Sequence, residues 1–481
     1  MSKIHEILLG TAWTYGAQVS TIVIQFAYAA ITSRVVGASG FGTYGVALSV
    51  AALISILANG GLGQAVGRMQ ILESGRLRAL GLYAGILGVS GAAILFASAD
   101  LWAALWSAPE ASEPTRWLCL SALLAPWMGL VSGLLRRQNR FRLLAIIVLL
   151  SNVGGMALGT GAVMRWANSS SLLVSPILAI LLVAAAGFVS NRSLLFGRAK
   201  LANASGDIAF SWKLTLASLL SYLNGNVGKL AVSRALGLSA LGQWNRADVV
   251  TSVPFLQVQG AMINAIYPEF RHDIRGPGRA ATAWPDLLTL VAWLSLPIAA
   301  TGSILVPYLV PIFFGPGWEL AAQLSAMLSL IAGVQVVTTV LASAIEALGK
   351  FAWIWSTQLI LLAVYGLAAY GTLVSHQWYP VLIGLLLGLI VQHSWQVFLC
   401  VRAGYLELPR LLSGYAGVVA ASIIVAGLAW GAVEVIRWLD SPWDIVAAAL
   451  ALVCLACGIW THKGKLPPVK IAQKYGLFGP R

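Results

Sequence analysis

The sequence predicts an all-α polytopic membrane protein of about fourteen transmembrane helices, built as two parallel six-helix lobes related by a pseudo-twofold axis plus two C-terminal helices. Three observations predict it. Of 481 residues, 59% are apolar and only 10% are charged, where a soluble domain carries roughly 25% charged residues. The apolar residues fall in uncharged runs of the roughly 20 residues that cross a bilayer core of about 30 Å. One pattern, Ser-Arg-x-x-Gly-x-Ser-x-x-Gly-x-aromatic, is written twice, as "SRVVGASGFGTY" at 33–44 and "SRALGLSALGQW" at 233–244.

The first run, 9–32, begins close to Lys3, yet it is too long for a signal peptide and has no convincing cleavage site, so it is read as helix 1. Helix 2 (41–66) closes at "GQAVGR", and helix 3 (79–98) opens after Arg76 and Arg78. Helices 4 (117–135) and 5 (143–164) flank "RRQNRFR", and helix 6 (171–190) leads to Arg192, Arg198 and Lys200. The second set comprises 213–235, 243–268, 286–310, 318–345, 351–373 and 378–401, followed by 411–433 and 443–461. Continuous apolar runs require helices, which satisfy their own backbone hydrogen bonds in lipid; a β-barrel would show alternating segments instead.

The basic residues orient the chain. With the N-terminus inside, 23 of the 30 Lys and Arg residues fall at inner helix ends, as the positive-inside rule expects, and both termini are cytoplasmic. Tryptophans cluster at helix ends, as interfacial belts predict. The net charge of +14 lies mostly in short inner loops, so insertion and anionic headgroups account for it and a nucleic-acid partner is rejected. Cys454 and Cys457 form a CxxC inside an apolar run with no second ligand pair, which argues against a metal or redox role; no metal and no cofactor are expected.

The doubled pattern closes one helix, crosses a tight outer turn and opens the next, first between helices 1 and 2 and again between helices 7 and 8. Six helices separate the copies, and an even number makes the two units face the same way. The expected division is therefore 1–212 and 213–401 for the two lobes, and 402–481 for the extra helices and a basic tail. Turn chemistry accounts for the repeated glycines and serines. Small residues four apart, in Gly63 with Gly67, Gly81 with Gly85 and Gly155 with Gly159, are expected to let helix backbones approach. Pro126, Pro297 and Pro307 offer kinks. No Walker loop, HExxH or GxSxG is present, and the longest outer loop, near 99–116, has Asp100, Glu110 and Glu113 without paired histidines, so the chain does not read as an enzyme.

Three stretches carry a family resemblance: "SRVVGASGFGTYGVALSVAALISILANGGLGQAVGR", "VGKLAVSRALGLSALGQWNRADVVTSVPFLQVQGAMINAIYPEF" and "FFGPGWELAAQLSAMLSLIAGVQVVTTVLASAIEALGKF". In order and spacing they resemble the polysaccharide biosynthesis flippases, the O-antigen and exopolysaccharide lipid-carrier translocases of the multidrug/oligosaccharidyl-lipid/polysaccharide exporter superfamily. The resemblance implies two lobes around a cavity in a bacterial inner membrane. It implies as substrate an oligosaccharide joined through diphosphate to a polyprenyl carrier, moved from the cytoplasmic to the periplasmic leaflet by alternating access, with cationic cavity residues holding the diphosphate. Membrane lipids, a polysaccharide polymerase and other assembly proteins are the implied partners.

The residues name candidates for that work. Lys229, in the outer half of helix 7 near Asn224 and Asn226, either lines a wet cavity and meets an anion or snorkels to headgroups. The resemblance implies that family members often have an acidic residue just before this position, and here it is Gly228, which removes an expected ion-pair partner. Arg34 and Arg234 are equivalent in the two copies, and they either grip a diphosphate together or anchor helix ends. Arg68 either receives substrate at the inner end of helix 2 or is one more positive-inside residue. Asp248, one turn from Arg246, reads as half of a neutralising pair or as an ion-coupling group, and His393 in helix 12 as a proton-coupling group or hydrogen-bonded glue. Two other readings stand beside the flippase: a drug or cation exporter, which needs intramembrane carboxylates, and a polysaccharide polymerase or ligase, which needs outer catalytic residues.

Overall fold

The structure, a computed structural model, describes residues 3–438 except 60, 70, 196, 199 and 274–276. The expected helix at 443–461, Cys454, Cys457 and the basic tail lie outside the described residues. Within them the chain is helical and has no strand. The elements are α1 (Lys3–Val35), α2 (Ala38–Asn59), α3 (Leu62–Arg68), α4 (Ser74–Leu105), α5 (Ser112–Trp117), α6 (Cys119–Arg137), α7 (Phe141–Trp166) and α8 (Val174–Leu195), then α9 (Ser205–Asp273), α10 (Pro277–Phe314), α11 (Glu319–Ala347), α12 (Phe351–Ser375), α13 (Tyr379–Arg402) and α14 (Leu408–Trp438). Ten described segments are long and apolar enough to cross a membrane. With α1 and the two limbs of α9, which Gly237 separates at φ 84°, they occupy the expected positions of helices 1 to 13. The protein is a multi-pass membrane protein.

Expected helix 2 is divided. Gly61, at φ 66°, ends α2 and starts the short α3. The exterior is apolar, with Val89, Leu101, Val189, Leu367 and Ile423 all more than 60% exposed, which is the surface a lipid solvent accepts and water does not. Hydroxyls inside helices are returned to the backbone, as in Ser90 to Ile86, Ser98 to Ile94 and Thr338 to Val334, so they cost little there. Cys119 and Cys400 are free thiols. Pro126 sits within α6, and Pro297 and Pro307 within α10, without interrupting either helix.

The chain divides into two compact units: residues 1–246 with 313–318 and 369–378, and residues 247–312 with 319–368 and 379–481. In the first, α7 meets α8 through Gly155 and Gly159, where added Cβ atoms would come within 2.6 Å and 2.8 Å of Ser175. Of the three small-residue pairs read from the sequence, this one alone acts as a pair. A Cβ on Gly63 would come within 2.8 Å of the Gly129 carbonyl while Gly67 has open space, and one on Gly81 would meet the Leu195 carbonyl while Gly85 faces only Trp127.

The second unit is built on Trp284, Leu287, Leu288, Val291, Val340 and Leu341, with Trp284 stacked on Tyr405 at 5.5 Å. Each unit is latched near a basic end by one bidentate ion pair. Arg76 near the start of α4 donates to both oxygens of Asp207 at 2.8–3.1 Å, and Arg410 near the start of α14 donates to both oxygens of Asp286 on α10 at 2.7 Å. Seven residues along from Arg76 and from Asp286, Tyr83 accepts a bond from Trp212 of α9 and Trp293 meets Gly417 of α14. Helix α14 thus docks on α10 much as α9 docks on α4, with the charges exchanged.

Candidate functional site

Both copies of the doubled string lie in the first unit. Gly37 separates α1 from α2, and Gly237 breaks α9 at the matching place, so residues 200 apart are equivalent. The copies meet reciprocally. A Cβ on Gly42 would strike the Leu238 carbonyl, and one on Gly242 would strike the Ala38 carbonyl and come within 2.8 Å of the Gly42 nitrogen. Leu238 is the equivalent of Ala38, so the two approaches are the halves of a single two-fold contact. Gly45 likewise abuts the carboxamide of its own equivalent, Asn245.

Turn chemistry is therefore not the whole account of these glycines. At Gly37 a Cβ would meet nothing within 4 Å, which fits a turn glycine. Gly42 and Gly242 are needed because backbone approaches backbone, and any side chain would part the two copies.

Each Ser-Arg pair is held by a segment from elsewhere in the unit. Ser233 Oγ donates to the Trp106 carbonyl at 2.8 Å and Arg234 Nη1 to the Leu105 carbonyl at 3.3 Å, both at the C-terminus of α4, where the helix dipole favours a cation. Trp318 Nε1 donates to the Ser33 carbonyl at 3.2 Å, and the Arg34 side chain lies along Gly315, 3.5 Å from where a Cβ would stand. Both arginines are exposed. Asp100, in the last turns of α4, accepts from Arg116 of α5 at 2.6 Å and from Ser112.

Arg246 follows the second copy on the same helical limb. It is 7% exposed, its guanidinium lies 4.0 Å over the centre of the Phe41 ring, and Tyr28 and Tyr44 are close enough to interact with it electrostatically. Its Nε and Nη1 are buried with no hydrogen-bond partner among the described residues. Such a cation is expensive to keep away from water, and a cation–π contact of about 0.5–2 kcal/mol offsets only part of that cost. The cation thus sits on Phe41, whereas the sequence suggested a neutralising role for it beside Asp248. A usable signal was present: the equivalent of Arg246 in the first copy is Val46, so the duplication carries a buried cation on one side only.

Lys229 is half-buried on the first limb of α9, two turns before the break. Asn226 lies on its side of the helix and donates to the Tyr222 carbonyl at 3.0 Å, whereas Asn224 is buried on another face, since five residues turn an α-helix by about 140° from alignment. Tyr222 itself donates to the Ser49 carbonyl at 2.7 Å. At the basic end, Arg68 is exposed and lies 4.4 Å over Phe210, beside a polar cavity of about 380 Å³ that Arg76, Glu73 and Asp207 also line. Arg137 Nε fixes the Met69 carbonyl there at 2.7 Å. In the second unit, His393 Nε2 is 3.0 Å from the Tyr415 hydroxyl, joining α13 to α14, and Asp248 accepts from Ser252 at 3.3 Å.

A family model described as "Polysaccharide biosynthesis protein" matches residues 31–323, well over half of the chain, and takes in both copies of the doubled string and Arg246. The chain belongs to the polysaccharide biosynthesis protein family. This polysaccharide biosynthesis protein is 23% identical to the lipopolysaccharide biosynthesis protein WzxC of Escherichia coli (strain K12) over 66% of its own length and 65% of that relative's. It is 23% identical to the succinoglycan biosynthesis transport protein ExoT of Rhizobium meliloti (strain 1021) over 75% of its length and 73% of the relative's. Among solved structures, the lipid II flippase MurJ in an inward closed conformation matches with a TM-score of 0.66 at 9% identity, over 90% of this chain and 99% of that one. An inward-facing multidrug resistance MATE family transporter of the MOP superfamily matches with a TM-score of 0.55 at 14% identity, over 83% of this chain and 95% of that one. At those identities the likeness shows a shared fold.

Proposed function

We propose that this polysaccharide biosynthesis protein is a flippase that carries polyprenyl-diphosphate-linked oligosaccharide repeat units from the cytoplasmic to the periplasmic leaflet of a bacterial inner membrane, for surface polysaccharide assembly. The observation that carries the reading is Arg246: a buried guanidinium with bare donors, within a membrane-spanning unit of a family that makes polysaccharides. An anionic group with paired oxygens is what such a fork binds, and a diphosphate supplies it. The names of ExoT as a transport protein and of MurJ as a lipid flippase support transport over synthesis.

In this reading both termini are cytoplasmic and the end bearing the doubled string is periplasmic. Residues 1–212 and 213–401 are the two lobes, and 402–481 the added helices and tail. Arg68 meets the diphosphate on the cytoplasmic side, Lys229 with Asn226 serves the path beyond it, and Arg34 and Arg234 stand at the exit. Reciprocal glycine contact at the exit closes one side while the other loads, as alternating access requires. His393 and Asp248 are the groups available for ion coupling, and a polymerase on the periplasmic side consumes the delivered unit. Cells lacking the protein are expected to lose surface polysaccharide and to accumulate the carrier-linked unit on the cytoplasmic leaflet, measured by lipid extraction and leaflet-specific labelling. Normal surface polymer in a clean deletion would remove the reading.

A further inference from the structure

One groove in the first unit belongs neither to the doubled corner nor to Arg246. It has a volume of about 540 Å³ and runs along α4 from Arg78 past Gly81, Gly85 and Ile86 to Val89 and Ser90, walled by Trp127 of α6, by Leu195 at the end of α8 and by Gly197 just past it. Its floor is open at Gly85, where an added Cβ would have only Trp127 within 4 Å, whereas at Gly81 the Leu195 backbone closes the space; its rim is apolar and outward-facing, with Leu82, Ile86 and Val89 exposed by 46%, 45% and 62%.

Its basic end is different. There the Arg78 guanidinium lies against Gly197, which at φ 138° has no side chain to push it away, and Arg78 Nε is buried with no hydrogen-bond partner among the described residues. The neighbouring Arg76 is neutralised by Asp207, but no described carboxylate pairs with Arg78. Arg78 is thus the one cation among the residues that line the groove.

We propose that this groove binds one anionic phospholipid, with an acyl chain laid along α4 over Gly85 and the phosphate at Arg78. Charge complementarity selects the head, because basic clefts between transmembrane helices attract anionic headgroups. Length selects the tail. The eleven residue steps from Arg78 to Val89 rise about 16 Å, close to the depth of one leaflet, half of a core of about 30 Å. An acyl chain fits that depth, and a polyprenyl chain, several times longer, does not. The cytoplasmic leaflet follows from the orientation proposed above, but the binding itself does not depend on it.

Two substitutions separate head from tail. Arg78→Ala removes the cation. Gly85→Leu fills the groove, and the fold tolerates it because a Cβ there meets only Trp127 at 3.9 Å. The purified full chain is titrated with phosphatidylglycerol and with phosphatidylethanolamine of the same acyl chains, and bound lipid is counted by native mass spectrometry. The wild type is expected to prefer phosphatidylglycerol about fivefold, the size of effect of one cation at a membrane surface. Arg78→Ala should abolish the preference, Gly85→Leu should remove the bound lipid of either kind, and Arg165→Ala, exposed on another helix, should change nothing. Unaltered preference in both groove variants would overturn the site, leaving only non-specific annular lipid. Displacement of phosphatidylglycerol by equimolar polyprenyl phosphate in the wild type but not in Gly85→Leu would overturn the choice of occupant.

Discussion

Replacing Arg246 with Met is expected to abolish transport while leaving the fold as stable as before or more so. The two halves of that expectation have different causes. Arg246 is 7% exposed with two nitrogens unbonded, so the folded chain carries an uncompensated desolvation cost. Exchanging buried charge for an apolar side chain of similar volume is often neutral or stabilising by about 1–4 kcal/mol, against which the lost contact with Phe41 weighs about 0.5–2 kcal/mol. Transport responds in the opposite direction. If the guanidinium makes two bonds to a diphosphate, each worth about 1.5–3 kcal/mol, losing both lowers the rate by roughly a hundredfold or more. Arg246→Lys keeps the charge without the fork and should fall between. Complementation of a deletion strain beside thermal melting of the purified variants reads both. A Met variant that melts well below the wild type and still restores polymer would make Arg246 a structural prop.

The second large effect is expected at the paired glycines. Gly42→Val or Gly242→Val places a branched side chain where a carbonyl now stands, and overpacking of this kind costs about 1–3 kcal/mol. Because the two approaches form one contact, the second substitution should cost much less than the first, since the copies are already parted. Gly37→Ala serves as the comparison, for its Cβ would meet nothing within 4 Å. Parting the copies should expose the corner. Labelling of Thr43→Cys, a position only 3% exposed beside Gly42, by a membrane-impermeant thiol reagent, in a background without Cys119, Cys400, Cys454 and Cys457, should quicken with either valine and stay unchanged with Gly37→Ala. Additive stability losses and unchanged labelling would deny that the two copies close on each other.

The helices were legible because lipid imposes a crude rule, length and apolarity, and the apolar runs obey it from α1 to α14. The doubled corner was legible as a repeat, but only half of its meaning was. A turn glycine and a contact glycine look alike in sequence, and Gly37 and Gly42 differ only in what stands opposite them. The ion pair of Arg76 with Asp207 spans 131 residues and could not be read from spacing. Arg246 was read as the partner of Asp248 one turn away because the aromatic face that holds it inward, Phe41, comes from the other copy. Aligning the copies at an offset of 200, which sets Arg246 against Val46, would have found it.

The central claim is movement of a diphosphate-linked glycan lipid across the bilayer. Its most direct measurement is reconstitution of the purified chain into vesicles that carry a polyprenyl-diphosphate oligosaccharide in both leaflets, with oxidation of the outer glycans by a reagent that cannot cross. The account predicts that the protected inner half becomes oxidised in vesicles holding the wild type and stays protected with Arg246→Met. Equal protection in vesicles with and without the wild-type protein would contradict it.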